Sequence, residues 1–249
     1  VFLINKSFMM SPQNKFKAEI AILEDFCNES LCHPENNCCS LKVMIQNNEN
    51  VIYNILFKGA NQTKESGYIL KKIKCINDFE INELGYLDKL EGLETEFFEI
   101  VKYRNTKIIE EDDGNKSIIA IVDKLEDLKI PYGTLNEQFE FVVNFVAEWI
   151  KITEMVHEKD ITHDDLKTDN VLFDSKTNKF VLNDFGFSMS SHNYLDYRNI
   201  EMGTHYFYPL LHLKNYLIKN SSFSIFKHLD NLAIFINLVY LFKKEELIE

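Results

Sequence analysis

The chain has 249 residues, enough to bury a sizeable core as one large domain or as two lobes. Hydrophobic residues make up 45% and charged residues 27%, the proportions of an ordinary soluble globular protein. The net charge of −12, from 27 basic and 39 acidic residues, opposes non-specific binding to nucleic acid or to anionic membranes, since phosphates are held by Lys/Arg clusters.

Val1 is not an initiator Met, so a fragment or a processed product is expected, and the opening Val1-Phe2-Leu3-Ile4 is too short for a signal-peptide core. Residues 1–45 match no helix or strand template. Four of five cysteines cluster there as Cys27, Cys32, Cys38 and Cys39 beside His33. Without paired C-x-x-C knuckles, reduced and partly buried thiols are favoured over zinc or a disulfide. The tract Gln46-Asn47-Asn48-Glu49-Asn50 predicts a turn. Val51–Phe57 and Tyr68–Lys74 follow as strands, separated by a polar segment with Gly59 and Gly67. Ile81, Leu84, Leu87 and Leu90 predict an amphipathic helix over 78–91.

Phe97–Ile109 and Ser117–Val122 read as strands around the turn signal Asp112-Asp113-Gly114. Beyond Pro131 and Gly133 the texture becomes helical. Phe139, Val142, Val143, Val146, Ile150, Thr153 and Val156 are expected on one face of a long helix ending near Glu158. Short strands at Val171–Phe173 and Phe180–Leu182 come next, then an irregular segment and an apolar helix over about 224–243. Its apolar run Leu232–Phe242 contains Asn237 and spans only about 16 Å as a helix. That is short for a membrane crossing.

The chemistry concentrates in His163-Asp164-Asp165-Leu166-Lys167-Thr168-Asp169-Asn170, followed fourteen residues after Asn170 by Asp184-Phe185-Gly186. Two carboxylates with an intervening Lys and Asn are what Mg-nucleotide phosphoryl transfer requires: one orients a hydroxyl, the other helps hold the metal. The residues resemble the catalytic loop H-R-D-L-K-x-x-N and the D-F-G of protein kinases. The resemblance covers roughly residues 51–242 and is densest at 160–187. It implies an α+β, bilobal protein-kinase-like fold: residues 1–122 as an N-terminal extension and sheet-rich lobe, 123–249 as hinge and truncated helical C-lobe. The nucleotide cleft would lie between them.

The resemblance also implies roles. Asp165 would accept the proton of the substrate hydroxyl, and Lys167 would touch the transferring γ-phosphate, a Lys here resembling the Ser/Thr-directed class. Asn170 and Asp184 would hold Mg²⁺ through hard oxygen ligands. Phe185 would pack under the small-lobe helix, and Gly186 would permit the turn. Tyr68-Ile69-Leu70-Lys71 resembles the V-A-I-K strand, so Lys71 would bind the ATP phosphates. Lys72 then faces the other way. Glu83, with Glu80 as runner-up, would partner Lys71. Val122 would be the gatekeeper, and the backbones of Asp123 and Leu125 would bond adenine. Gly203-Thr204 and Pro209 resemble the end of an activation segment, and Asp230 resembles the helix residue that steadies the catalytic loop.

Three departures stand out. No G-x-G-x-x-G is present, and Asn47 and Asn50 occupy two glycine positions. Asp164 replaces the Arg that normally pairs with a phosphorylated loop, which predicts activity independent of loop phosphorylation. Leu210 or Leu211 stands where A-P-E has its Glu. The leading expectation is an ATP- and Mg²⁺-dependent protein kinase acting on Ser/Thr hydroxyls of a protein substrate. It carries no nucleic-acid partner or membrane span and works inside the cell, cytoplasm first. The alternatives are a pseudokinase scaffold and a small-molecule kinase of the aminoglycoside or choline type, which shares H-x-D-x-x-x-x-N.

Overall fold

The structure is a computed structural model, described for residues 12–31, 39–46, 50–58, 63–75, 79–111, 114–129, 133–195 and 222–244. Expectations for Cys32, His33, Cys38, Asn47, Gly59, Asp112, Asp113, Pro131, Gly203, Thr204, Pro209, Leu210 and Leu211 fall outside those residues. Two compact units divide the chain: residues up to Glu80 with Lys102–Lys124, and Ile81–Val101 with Leu125 onwards.

The first unit is built on helix α1 (Pro12–Leu31) and five antiparallel strands: β1 (Cys39–Gln46), β2 (Asn50–Lys58), β3 (Thr63–Cys75), β5 (Tyr103–Glu110) and β6 (Lys116–Asp123). Their order is β1-β2-β3-β6-β5. Leu23, Phe26 and Cys27 fall on one stripe of α1 and pack on Tyr53, Ile55, Leu70, Ile119 and Ile121 of the sheet. Polar bonds fasten the same helix: Asn28 Oδ1 accepts from the Cys39 N–H at 2.6 Å, and Glu19 meets Lys72 Nζ at 2.5 Å. Helix α1 and strand β1 both lie where the sequence shows no template. Cys27 and Cys39 are buried core residues.

The second unit carries helix α2 (Phe79–Leu90), strands β4 (Phe98–Ile100), β7 (Glu126–Asp127), β8 (Ile161–Thr162), β9 (Val171–Asp174), β10 (Lys179–Leu182) and β11 (Met189–Ser190), and helices α3 (Leu135–Glu158) and α4 (Ser224–Lys244). The order β4-β10-β9-β7 forms one sheet, and β8 pairs with β11 in another. The predicted single strand over Phe97–Ile109 is in fact two. Phe98–Ile100 runs parallel to β10, the Val101 N–H continues onto Leu182 O, and the chain joins the other sheet only at Tyr103.

Helix α3 starts at a capping box: Thr134 Oγ1 accepts from the Glu137 N–H, and Glu137 Oε2 accepts from the Thr134 N–H at 2.7 Å. A Cβ at Gly133 would come within 2.9 Å of that carboxylate oxygen, so the glycine leaves room for the cap. The buried face of α3 is Val142, Phe145, Trp149, Ile152, Thr153, Val156 and His157. Phe139 and Val143 are exposed, so the helix is rotated from the expected stripe. Aromatic packing of Phe145 against Phe98, Phe180 and Trp149, at centroid distances of 4.9–5.5 Å, sets this orientation. Among the described residues no helix is long and apolar enough to cross a membrane.

Candidate active site

The loop between β8 and a 3-10 turn at Thr168–Asn170 is held by its backbone. Asp230 of α4 is 1% exposed; its Oδ2 accepts from the His163 N–H at 2.8 Å and its Oδ1 from the Asp164 N–H at 2.9 Å. His157, at the end of α3, meets Asp230 Oδ2 through Nε2 at 2.9 Å. Burial opposes the charge of Asp230, but the hydrogen bond and charge of His157 and the bond from the His163 amide outweigh it and lower its pKa. The His163 Nε2 lies 3.0 Å from the Asn183 carbonyl, which can only accept, and its Nδ1 accepts from the Asp165 N–H at 3.3 Å. These two bonds place the ring proton on Nε2.

So anchored, the loop gathers Asp165, Lys167 and Asn170 into one bonded group. The Asp165 carboxylate is buried, and its Oδ2 accepts from Lys167 Nζ at 2.7 Å and from Asn170 Nδ2 at 3.1 Å. The Asn170 amide also donates to Asp165 O at 2.9 Å, so Oδ1 is the atom it has to offer a cation.

The Asn183 N–H donates to Asn170 O at 2.9 Å, which ties the start of Asp184-Phe185-Gly186 to the loop. Asp184 is exposed and takes the left-handed φ of 66°, so it supplies the turn expected of Gly186. Phe185 is fully buried against the His163 ring, with centroids 4.6 Å apart. An exposed carboxylate and an amide oxygen are hard donors of the kind Mg²⁺ accepts, and few are needed because that ion keeps waters and phosphate oxygens. The donor set therefore fits the cation.

A family model for the protein kinase domain matches residues 53–225, well over half of the chain. The chain belongs to the protein kinase family. It is a kinase-type phosphotransferase by family, with the sheet-rich N-terminal and helical C-terminal regions of that fold.

The other kinase motif positions are divided between the units. Lys71 lies on β3, where it pairs with Ile52 and Ala120, and its Nζ stands 5.9 Å from the centre of the Tyr103 ring. Lys72 takes the opposite face and pairs with Glu19 and Glu111. Burial opposes the Lys72 charge, but the hydrogen bonds it donates to both glutamates prevail and raise its pKa. Val122, at the end of β6, is buried. Asp123 is gripped by Arg104 at 3.0 and 3.2 Å, and that guanidinium lies over Tyr68. The Lys124 N–H donates to Gly67 O at 2.9 Å. In the second unit Leu125 is half-buried, and Glu83 on α2 is buried with 3% exposure.

Asp164, where the family has Arg, has φ 65°, a backbone that Asp tolerates better than Arg, and its Oδ2 accepts from Thr162 Oγ1 at 2.5 Å. Two side chains at this kinase site were not foreseen. His157 supports Asp230, and Asn237, seven residues beyond Asp230, bonds the loop at Leu166 and Thr168. The available signal was the lone Asn of the apolar run Leu232–Phe242, at the spacing that returns it to the face of Asp230.

Proposed function

We propose that this kinase transfers the γ-phosphate of ATP to Ser or Thr hydroxyls of protein substrates, without prior phosphorylation of its own activation segment. The observation that carries the reading is the buried Asp165 carboxylate, with Lys167 and Asn170 both bonded to its Oδ2. A carboxylate so fixed can orient a hydroxyl and take its proton as the oxygen attacks. The new O–P bond forms while the bond from Pγ to the β-phosphate oxygen breaks. Lys167 supplies positive charge where negative charge builds on the transferring oxygens. Asn170 and Asp184 would hold Mg²⁺, which neutralises phosphate charge when bound. Lys71 would bind the α/β-phosphates with Glu83 as its acidic counterpart. Val122, Asp123 and Leu125 would receive the adenine.

Independence from loop phosphorylation is supported by local bonding. Asp164 is engaged with Thr162, and it would repel phosphate rather than bind it. The described residues just after Gly186 are fastened: β11 pairs with β8, Asn193 Oδ1 accepts from the Ser190 N–H at 2.8 Å, and Asn193 Nδ2 donates to Tyr86. Thermal unfolding with and without Mg-ATP tests nucleotide binding: a rise in Tm that follows ATP concentration is expected. No shift would favour a scaffold. Phosphoamino-acid analysis of a labelled generic protein should give phosphoserine or phosphothreonine. Label in a small-molecule acceptor alone would overturn the protein-directed reading. Phosphatase treatment of the kinase should leave its rate unchanged.

A further inference from the structure

We propose that Asn237 is a positioning residue for phosphoryl transfer: its carboxamide fixes the backbone on both sides of Lys167 and thereby sets the Lys167–Asp165 pair. The proposal rests on the phosphotransfer reading above.

Asn237 is 2% exposed and stands two helical turns after Asp230 on α4. Its Nδ2 donates to Leu166 O at 2.9 Å and to Ala233 O at 2.8 Å, and its Oδ1 accepts from the Thr168 N–H at 3.1 Å. The amide is satisfied as donor and acceptor, as burial requires. Only the Ala233 bond is internal to the helix. The other two reach the residues immediately before and after Lys167.

The remaining backbone contacts complete the picture. Asp230 binds the His163 and Asp164 amides, the Asp165 amide is on His163 Nδ1, and Lys167 O accepts from the Asn170 N–H at 3.0 Å. Asp230 therefore holds the loop ahead of Asp165, and Asn237 holds it beyond. A leucine would suit the surrounding run Ala233-Ile234-Phe235-Ile236 better as helix and as core, but it would release Leu166 O and Thr168 N–H. Lys167 would then carry its ammonium on a slackened backbone, and small misplacements of a reacting group are costly.

The test is a double-mutant cycle of Asn237→Leu and Lys167→Ala, read as phosphate transfer from ATP to a generic protein substrate. Tm is measured alongside, with amide exchange across 163–170 and across Phe145–Ile152. Asn237→Leu should lower kcat about 10- to 100-fold with little change in KM for ATP. In the Lys167→Ala background it should cost less than about threefold, because both changes remove one function. Exchange of the loop amides should rise while that of α3 stays as in the wild type. If Asn237→Leu does not fold, Asn237→Asp keeps the acceptor for Thr168 and loses the donor to Leu166, and the same non-additivity is expected. Transfer by the wild type with an undiminished kcat in the variant, or fully multiplicative losses, overturns the role of Asn237 alone. If the wild type transfers nothing while loop exchange still rises in the variant, the phosphotransfer reading fails and takes the positioning role with it.

Discussion

Lys72 in the first unit and Lys167 in the second both meet carboxylates, yet they stand in opposite relation to their backbones. The Lys72 Nζ lies between Glu19 of α1 and Glu111 just beyond β5, at 2.5 and 2.9 Å, so its charge joins a helix to a sheet. Lys167 meets Asp165 two residues away at 2.7 Å, in a loop whose backbone Asp230, His163, Asn170 and Asn237 already hold. Removing an ammonium that joins elements should loosen the fold. Removing one carried by an independently supported backbone should spare the fold and affect the reaction. Ion pairs of similar length can therefore serve different ends, and what supports the backbone decides which.

Four measurements would break or sharpen that contrast. Asp230→Ala removes the support itself; two loop amides and His157 lose a buried partner, and a loss of about 3 kcal/mol of stability together with transfer is expected. Calorimetry and the transfer assay check both. Lys167→Ala should lower kcat about 100-fold while Tm stays within about 2 °C of the wild type. A large fall in Tm would show that the lysine holds the loop after all. Lys72→Met should do the reverse, costing about 1–2 kcal/mol, since Glu19 is partly exposed, with kcat per folded molecule unchanged.

The smallest effect concerns acid. The folded-state pKa of Asp230 is depressed, so its contribution is fully present above the unfolded-state value of about 3.9. It is lost as pH falls through the lower folded value. The Tm difference between wild type and Asp230→Asn should narrow over that range, and a constant difference would remove the charge from the account.

The family was legible because its motif sets particular side chains at fixed spacings within one short segment. Asp230, far along the chain, was legible from the likeness of its helix start to that of the family, and its bonds to the His163 and Asp164 amides agree. Helix α1 was not, because its contribution rests on a few buried residues, Leu23, Phe26 and Cys27, among polar ones whose partners Lys72 and Cys39 are distant in sequence. The rotation of α3 was missed because Phe145, which decides it, packs on Phe98 of β4 and Phe180 of β10, which periodicity along one helix cannot weigh. The split of Phe97–Ile109 has a similar origin, since two sheets compete for one apolar stretch. Asn237 looked like an interruption of an apolar run until the loop it bonds was in view.

Asp165 is proposed to drive phosphoryl transfer, and one comparison tests that role most directly. Purified wild type and Asp165→Asn are incubated with γ-labelled ATP, Mg²⁺ and a generic protein substrate. The wild type should label the substrate, and the variant should lose about 10³-fold or more of the rate while still showing an Mg-ATP-dependent rise in Tm. Equal labelling by the two proteins would contradict the account.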